Sequence, residues 1–573
     1  MAENQRLLNG CVGLDLHDAF RTLHPVKKEF TFFSRSARVS SRIDRALVSA
    51  SMLGCIGGAF HTSIPKGITD HWFAISVKLA SSEGNAKGPG LWRLPAKIAR
   101  SQGVRNITQA ITQQQAVEDD FVKTLKKLNA GLKEYAKGER RRVARTVEHL
   151  EEKVAVLRQA FMSDAGNPDL QEQLARSEAQ LKAYWDGKND WLQTLAGIQG
   201  ELEGETASKF LTGTIASRRA KTEIRSLSVG GKAVTEAKEI LLAASDFFRD
   251  LFGKAKESSG EKWLTDKSKR LDEKDREVLQ AKWTEKEVKK ALAELPKGKT
   301  PGQDGLPREF FESNWDILGP GLMRFIHSFE QSAKLPESLT TAVTILLHKK
   351  GEKERLENYR PITLLNTVYK IVAKVLANRM KRVLPKVISE DQHGFVPGRK
   401  LSDAVAAVAD VIDAAVTGKE DWYLLLVDFQ KAYDSVSRDY LFSTLRDMGF
   451  PDTFVSWAEG LHNEAGTRLL LNGWLGERLG VDVGVRQGCP LAPYLFICEV
   501  EPLCQEIKKR KLGIRKRGKG ELAYLGYADD TTLVLKWACA GGKSGRGAER
   551  FWRGVRLAHQ PREDRVDAAG EKP

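Results

Sequence analysis

Two places in this 573-residue chain bring carboxylates to the ends of apolar runs. The first is EDWYLLLVDFQKAYDSV, in which an unbroken apolar stretch stops on Asp428. A short run of this composition reads as a buried strand, so Asp428 would stand at a sheet edge, where a hard cation can be held. The second is ELAYLGYADDTTLVL, whose two apolar arms flank Ala528-Asp529-Asp530, the pattern of a β-hairpin with adjacent acids at its turn. Carboxylates converging from different strands make a two-metal site, able to activate a 3′-hydroxyl and to stabilise leaving pyrophosphate in nucleotidyl transfer. Taken singly, an Asp at a strand end or a turn is most often a solvated terminus or an Asx turn. The chemistry therefore depends on the two segments coming together.

Two further segments suit a polyanionic ligand. In GVRQGCPLAP, glycines on both sides of Arg486-Gln487 permit close backbone approach, and the following helix is expected to begin at Pro490. The run KKRKLGIRKRGK holds Lys508, Lys509, Arg510, Lys511, Arg515, Lys516, Arg517 and Lys519 with no acid. Such a loop usually faces solvent; beside a nucleotidyl-transfer hairpin it would also grip phosphates, with binding that weakens as salt rises.

Composition points the same way. Subtracting 75 acidic from 91 basic side chains gives +16, with a pI near 9.3, which favours nucleic acid as a partner. Hydrophobic residues at 41% supply real cores, and the length suggests three or four domains. The six cysteines, Cys11, Cys55, Cys489, Cys498, Cys504 and Cys539, form no C-x-x-C pair, which argues for a reducing compartment and against a zinc cluster. No apolar run is long enough to span a bilayer and the start lacks a secretory core, so a soluble, intracellular protein is expected.

The elements that must position these residues change character along the chain. Residues 1–80 read as short strands and loops, and SSEGNAKGPG as a linker. From about Ile107 to Leu202 long charged helices take over. Val143, Val147, Leu150, Val154, Leu157 and Phe161 form a seam suited to a coiled-coil hairpin, its return arm beginning near Asp169 after Gly166-Asn167-Pro168. Strand candidates TAVTILLH, WYLLLVD, TRLLLNG and TTLVLKW then alternate with amphipathic helices, one marked by Val368, Ile371, Val372, Val375, Leu376, Arg379 and Val383. The fold class is α/β multidomain. Residues 538–573 read as a disordered or foreign tail.

Over about 300–537 the chain strongly resembles the reverse transcriptase domain of non-LTR (LINE-type) retrotransposons. The matching strings, in that family's order, are GKTPGQDGLPREFF, ENYRPITLLNTVYKIVAKVLANRM, DQHGFVPGRKLSDAV, LVDFQKAYDSV, GVRQGCPLAPYLF and YADDT. The resemblance implies right-hand polymerase fingers and palm over 301–537. It also implies Mg2+-dependent DNA synthesis, with Mn2+ as the alternative ion, from dNTPs on an RNA template with a DNA primer or target. Asp428 and Asp529 then match the metal-binding carboxylates and Asp530 the hairpin's second acid. Phe429 would lend a backbone carbonyl, and Tyr433 matches the bulky residue that blocks a ribonucleotide 2′-hydroxyl; a core aromatic is the even alternative. Arg486, Gln487 and Gly488 would lie against nucleotide and template, and Lys349, Arg360 and Arg399 are candidates for the triphosphate. Many relatives have Ser where Ala492 stands, a departure that leaves the metal positions untouched.

Residues 1–80 resemble the end of the apurinic-type endonuclease domain that precedes the reverse transcriptase in many LINE polyproteins, through DAFRTLHPVKKEFTFFS, SSRIDRALVS and ITDHWFAISV. That match implies a partial endonuclease/exonuclease/phosphatase-type α/β sandwich with His71 as the catalytic histidine, Asp70 beside the metal and Asp44 orienting the imidazole. Relatives carry Ser for Thr69 and Tyr for Arg45, and the part bearing the metal-binding Glu and Asn is missing, so this remnant is expected to be inactive. The segment 81–300 would be a helical, partly coiled-coil linker. The chain as a whole is expected to be an excerpt truncated at both ends, weak or inactive as a polymerase. A non-catalytic nucleic-acid-binding relic is the alternative, and a group II intron or telomerase-like polymerase is disfavoured by the endonuclease-like start. Work in the nucleus is implied only by the family's habit.

Overall fold

In the computed structural model the described residues are 16–27, 30–34, 39–42, 44–63, 73–79, 88–115, 120–164, 166–196, 214, 217, 222–253, 269–418, 422–429, 431–509, 514–515 and 521–536. The tail expected from 538 lies outside them. None of the described helices is long and apolar enough to cross a membrane. The chain divides into two units, one of 1–86 with 134–223 and one of 87–133 with 224–573.

In the first unit, short antiparallel pairs form between Leu16–Asp18 and Leu47–Ser49, Phe32–Ser34 and Val39–Ser41, and Ile56–Ser63 and Phe73–Leu79. Two long helices follow, α1 (Phe121–Ser163), which starts in the second unit, and α2 (Pro168–Ala196). Asn167 turns the chain between them: its side-chain oxygen accepts from the backbone N–H groups of Asp169 (3.1 Å) and Leu170 (3.3 Å), and Pro168 takes the first helical position, where no donor is needed. Val154, Leu157 and Phe161 pack against Leu174 and Leu181, with Val147 and Leu150 at the margin. Val143, placed in the seam by its spacing, is instead 41% exposed, because the packed contact begins only at Val147. A buried Arg158–Glu178 ion pair (3.0 Å) lies within this contact.

The second unit is built on α3 (Ala237–Phe252), β1 (Thr341–His348), β2 (Tyr359–Leu364), α4 (Thr367–Val387), α5 (Leu401–Gly418), β3 (Trp422–Val427), α6 (Arg438–Asp447), β4 (Gly466–Leu471), β5 (Trp474–Gly480), α7 (Ala492–Lys509), β6 (Tyr524–Tyr527) and β7 (Asp530–Lys536). One sheet has the order β2-β1-β4-β5, with β1 and β4 parallel and the other neighbours antiparallel. Threonines on its three adjacent strands form a buried ladder, Thr344 Oγ1 lying 2.7 Å from Thr467 Oγ1 and 3.5 Å from Thr363 Oγ1. A second sheet is antiparallel, in the order β3-β7-β6.

Helix α4 is the axis of the core. Val368, Ile371, Val372, Val375, Leu376 and Val383 are all within 1% of full burial. Arg379 is buried on the same helix because every part of its guanidinium is engaged: Nε and one amino group reach Glu287 at 2.8 Å, and another reaches the carbonyls of Leu279 (2.9 Å) and Ala281 (2.6 Å). It also lies over the rings of Trp283 and Trp457. Helix α7 begins at Ala492, two residues after the expected Pro490: the Ala492 N–H bonds back to Cys489 in a separate turn. Strand β3 departs from the buried strand expected there. Leu424 packs with Val411, Leu522, Leu525 and Val534, but Leu426 is 80% exposed, because β3 is an edge strand and α5 covers only its first half.

Burial also sets a pH dependence. Glu499 on α7 is buried, its Oε2 has no hydrogen-bond partner among the described residues, and burial pushes its carboxyl up to about 8. Burial raises Asp304 and Asp434 to about 7. Each of these groups holds a proton when folded that it loses when unfolded, so its contribution is complete below pH ~4 and is lost as pH rises through 7 to 8, at up to about 1.4 kcal/mol per pH unit per group. Urea denaturation at pH 5.5 and 8.5 should show stability falling with pH, and Glu499→Gln should make the fall shallower. An unchanged slope in the variant would remove Glu499 from this account.

Candidate functional site

Strands β3 and β7 pair antiparallel, the last pair being Val427 with Thr531. One step further along that register lie Asp428 and Asp530, so the two acidic segments meet at one end of the sheet. The hairpin closes with Tyr527 opposite Asp530 and leaves Ala528-Asp529 as its two-residue turn. Ala528 sits at φ +59°, in the left-handed region, at a cost of about 1–2 kcal/mol for a residue with a Cβ. Asp428 and Asp530 are exposed and Asp529 is half-buried.

What holds this turn is Gln392, a buried residue from the DQHGF string. Its Oε1 accepts from the Ala528 N–H (3.0 Å) and the Gly394 N–H (2.9 Å). Its Nε2 donates to the Tyr524 hydroxyl (3.0 Å) and to the Ala528 carbonyl (3.3 Å). The backbone reinforces the clamp: His393 N–H donates to Gly526 (2.7 Å), and Gly526 N–H to Asp391 (2.9 Å). A Cβ on Gly394 would collide with the Ala528 backbone, so only glycine lets the two segments approach this closely. Arg399 secures the same loop from behind, donating to the carbonyls of Ile388 (3.1 Å), Ser389 and Gln392 (2.6 Å). Both amino groups of its guanidinium are thereby engaged with the protein's own carbonyls.

Tyr433 stacks on Phe496 of α7, ring centroids 4.8 Å apart, and Phe429 meets Phe496 edge-on. Burial and the charge of Asp529 both raise the Tyr433 phenol well above its ordinary range, so this ring is packed and also neighbours the hairpin turn. The chain from 431 to 436 is fixed by the segment 484–488. Gly484 N–H donates to Val436 and Val485 N–H to Tyr433, both at 2.8 Å, and Gln487 Nε2 donates to Asp434 Oδ2 at 3.1 Å. Lys431, at φ +52°, lies with its ammonium over the Phe247 ring; burial lowers its pKa, while Asp434 and Glu357 oppose the shift.

The glycines flanking Arg486-Gln487 serve the protein's own backbone. Gly484 lies against the backbone of Tyr433 and Asp434, and Gly488, at φ +116°, against the Thr363 carbonyl. Arg486 is buried over the Tyr369 ring and donates to the carbonyls of Leu461 (2.8 Å) and Thr340. Lys349 and Arg360 are exposed on the β1–β2 hairpin. Of the basic run, Lys508 pairs with Asp391, Lys509 is exposed, and Arg515 lies in the short strand Ile514–Arg515. Arg510, Lys511, Lys516, Arg517 and Lys519 lie outside the described residues, as do Asp70 and His71. The backbone N–H of Asp44 donates to Thr31 Oγ1 at 3.2 Å.

Sequence reasoning passed over Gln392, Lys431 and Asp434. The one available signal was an amide two residues before a glycine, between apolar runs, which marks a close backbone approach without naming its partner. Among the described residues no group of three or more His, Cys, Asp or Glu is placed to hold a metal ion. Two carboxylates nevertheless suit Mg2+, which is commonly held by one or two carboxylates, substrate phosphates and water.

Residues 347–546 match the protein family described as reverse transcriptase (RNA-dependent DNA polymerase). The chain is 29% identical over 536 residues to the transposon TX1 uncharacterized 149 kDa protein of Xenopus laevis, covering 91% of this chain and 40% of that protein. It is 26% identical over 256 residues to the Pol polyprotein of the type-2 retrotransposable element R2DM of Drosophila melanogaster, covering 44% of this chain and 23% of that one. To the RNA-directed DNA polymerase from the mobile element jockey of the same organism it is 24% identical over 256 residues, covering 44% and 27%. The chain thus spans two-fifths or less of the length of these relatives. The matched segment contains Asp428, the Asp529-Asp530 hairpin and the Gln392 clamp, so residues 347–546 are similar to a reverse transcriptase domain, in a chain similar to non-LTR retrotransposon proteins.

Proposed function

We propose that residues 301–537 copy RNA into DNA, joining a primer 3′-oxygen to the α-phosphorus of a dNTP and releasing pyrophosphate. The observation that carries this reading is the register that brings Asp428 beside the Asp529-Asp530 hairpin, with Tyr433 next to Asp529. Asp428 and Asp529 would hold Mg2+, with Mn2+ as the alternative, and Asp530 would add negative charge. Bound there, the metal would lower the pKa of the 3′-hydroxyl and neutralise charge on the leaving phosphates. The protein's own share is positioning. The clamp on Ala528 orients Asp529, and the Phe496 stack holds Tyr433 where a 2′-hydroxyl would meet it. The exposed Lys349 and Arg360 supply positive charge for the triphosphate, and the basic run from Lys508 supplies it for the RNA template and DNA primer. Residues 1–80 are read as endonuclease-type, supported by strand pairs at the matched strings, with 81–300 as the helical linker.

The test is extension of a DNA primer on an RNA template with Mg2+ and dNTPs. Asp428→Asn or Asp529→Asn should lower the rate about 1000-fold or more, the equivalent of about 4 kcal/mol of transition-state stabilisation. Full extension by either variant would sink the assignment, and RNA binding without any extension by the unaltered chain would favour the non-catalytic relic. Tyr433→Ala should raise ribonucleotide over deoxyribonucleotide incorporation by about tenfold. Unchanged selectivity would leave Tyr433 as a packing partner of Phe496 alone.

A further inference from the structure

Helix α1 carries a stretch that its packing does not explain. From Lys137 to Thr146, ahead of the packed contact that begins at Val147, every residue but the half-buried Glu139 is exposed, about 15 Å of helix. A helix polar all round normally stabilises itself by mixed i,i+3 and i,i+4 ion pairs. Here Lys137 to Thr146 holds Lys137, Arg140, Arg141, Arg142 and Arg145 against the single acid Glu139. Arg142 pairs with Glu139 (2.9 Å) and Lys137 reaches Glu134 (3.8 Å). Arg140, Arg141 and Arg145 are exposed and have no ion pair among the described residues.

At 100° per residue, Lys137, Arg140, Arg141 and Arg145 fall within an arc of about 140°, and the Glu139–Arg142 pair lies outside it. The result is a cationic face on two to three turns, rich in arginine, whose planar fork matches phosphate oxygens and sheds water more easily than an ammonium. Between Lys137 and Thr146 the one apolar side chain within the arc is the methyl of Ala144, so an apolar groove would find little purchase. Repulsion among these charges would be relieved by an external polyanion.

We propose that this face of α1 binds the phosphate backbone of RNA, as a site separate from the reverse transcriptase domain. The choice of RNA rests on the template-copying reading above; the phosphate chemistry rests on the helix alone. Such a site would hold folded template RNA while another part of the same molecule is being copied.

The full chain is tested with a folded RNA and, separately, a DNA duplex of equal length. Changing Lys137, Arg140, Arg141 and Arg145 to Gln should weaken RNA binding about 10- to 100-fold at physiological salt and flatten the log-affinity against log-salt slope by about 3. DNA-duplex affinity should fall by less, and extension of a primer on a short RNA oligonucleotide should stay as in the wild type. Unchanged RNA affinity and slope, or an equal loss for DNA, would overturn the proposal. A second pair guards against a folding artefact: Arg140→Glu with Arg141→Glu should lose RNA binding, and Arg140→Lys with Arg141→Lys should keep most of it. If the two pairs behave alike, the proposal fails. Asp428→Asn should abolish extension and leave this binding intact, so failure of the polymerase reading and failure of the helix site give different results.

Discussion

The site depends on one buried amide. Gln392 holds the turn at Ala528 from both sides, through its N–H and its carbonyl, and the turn carries Asp529. Each such bond contributes a net ~1 kcal/mol, so the two together offset the ~1–2 kcal/mol of left-handed strain at Ala528. Without them the two-residue turn would have less strained conformations available, and the carboxylate would be free to move with it. The clamp is built to be rigid: Gly394 allows contact at backbone distance, Arg399 fixes the loop from behind, and Lys508 pairs with Asp391 at its edge.

A second joint transmits this rigidity to the rest of the domain. The segment 484–488 ties the loop after Asp428 to the four-stranded sheet, since Gly484 and Val485 bond to Val436 and Tyr433 while the Gln487 carbonyl accepts from Thr363 on β2. Arg486 adds a buried tie to the carbonyls of Thr340 and Leu461. The acidic hairpin and the β1–β2 hairpin with Lys349 and Arg360 are thus parts of one framework, as any reaction between a bound triphosphate and a primer terminus would require.

Local pattern was enough to read the strands TAVTILLH and TRLLL and the helix around Val372, because periodicity and burial agree there; WYLLLV was legible as a strand, but its burial was not. Where it misled, the cause was a partner distant in sequence. Val143 has the seam spacing but lies before the packed contact begins, and Leu426 continues an apolar run that α5 does not reach. Arg399 and the two amino groups of Arg486 donate to carbonyls of loops that only the tertiary fold brings near, contacts that no local pattern shows. Gln392 was invisible for the same reason, its partner Ala528 lying 136 residues away. The two acidic segments were legible as chemistry, but their meeting is a property of register.

The central claim is that the Gln392 clamp gives the carboxylates their geometry, and Mn2+ affinity of the full chain measures this most directly. Groups that orient metal ligands without touching the metal typically change affinity 10- to 100-fold when removed. Gln392→Ala should therefore weaken Mn2+ binding by about 10-fold or more, with the circular dichroism of the fold unchanged. Wild-type Mn2+ affinity in a folded Gln392→Ala protein would contradict the account.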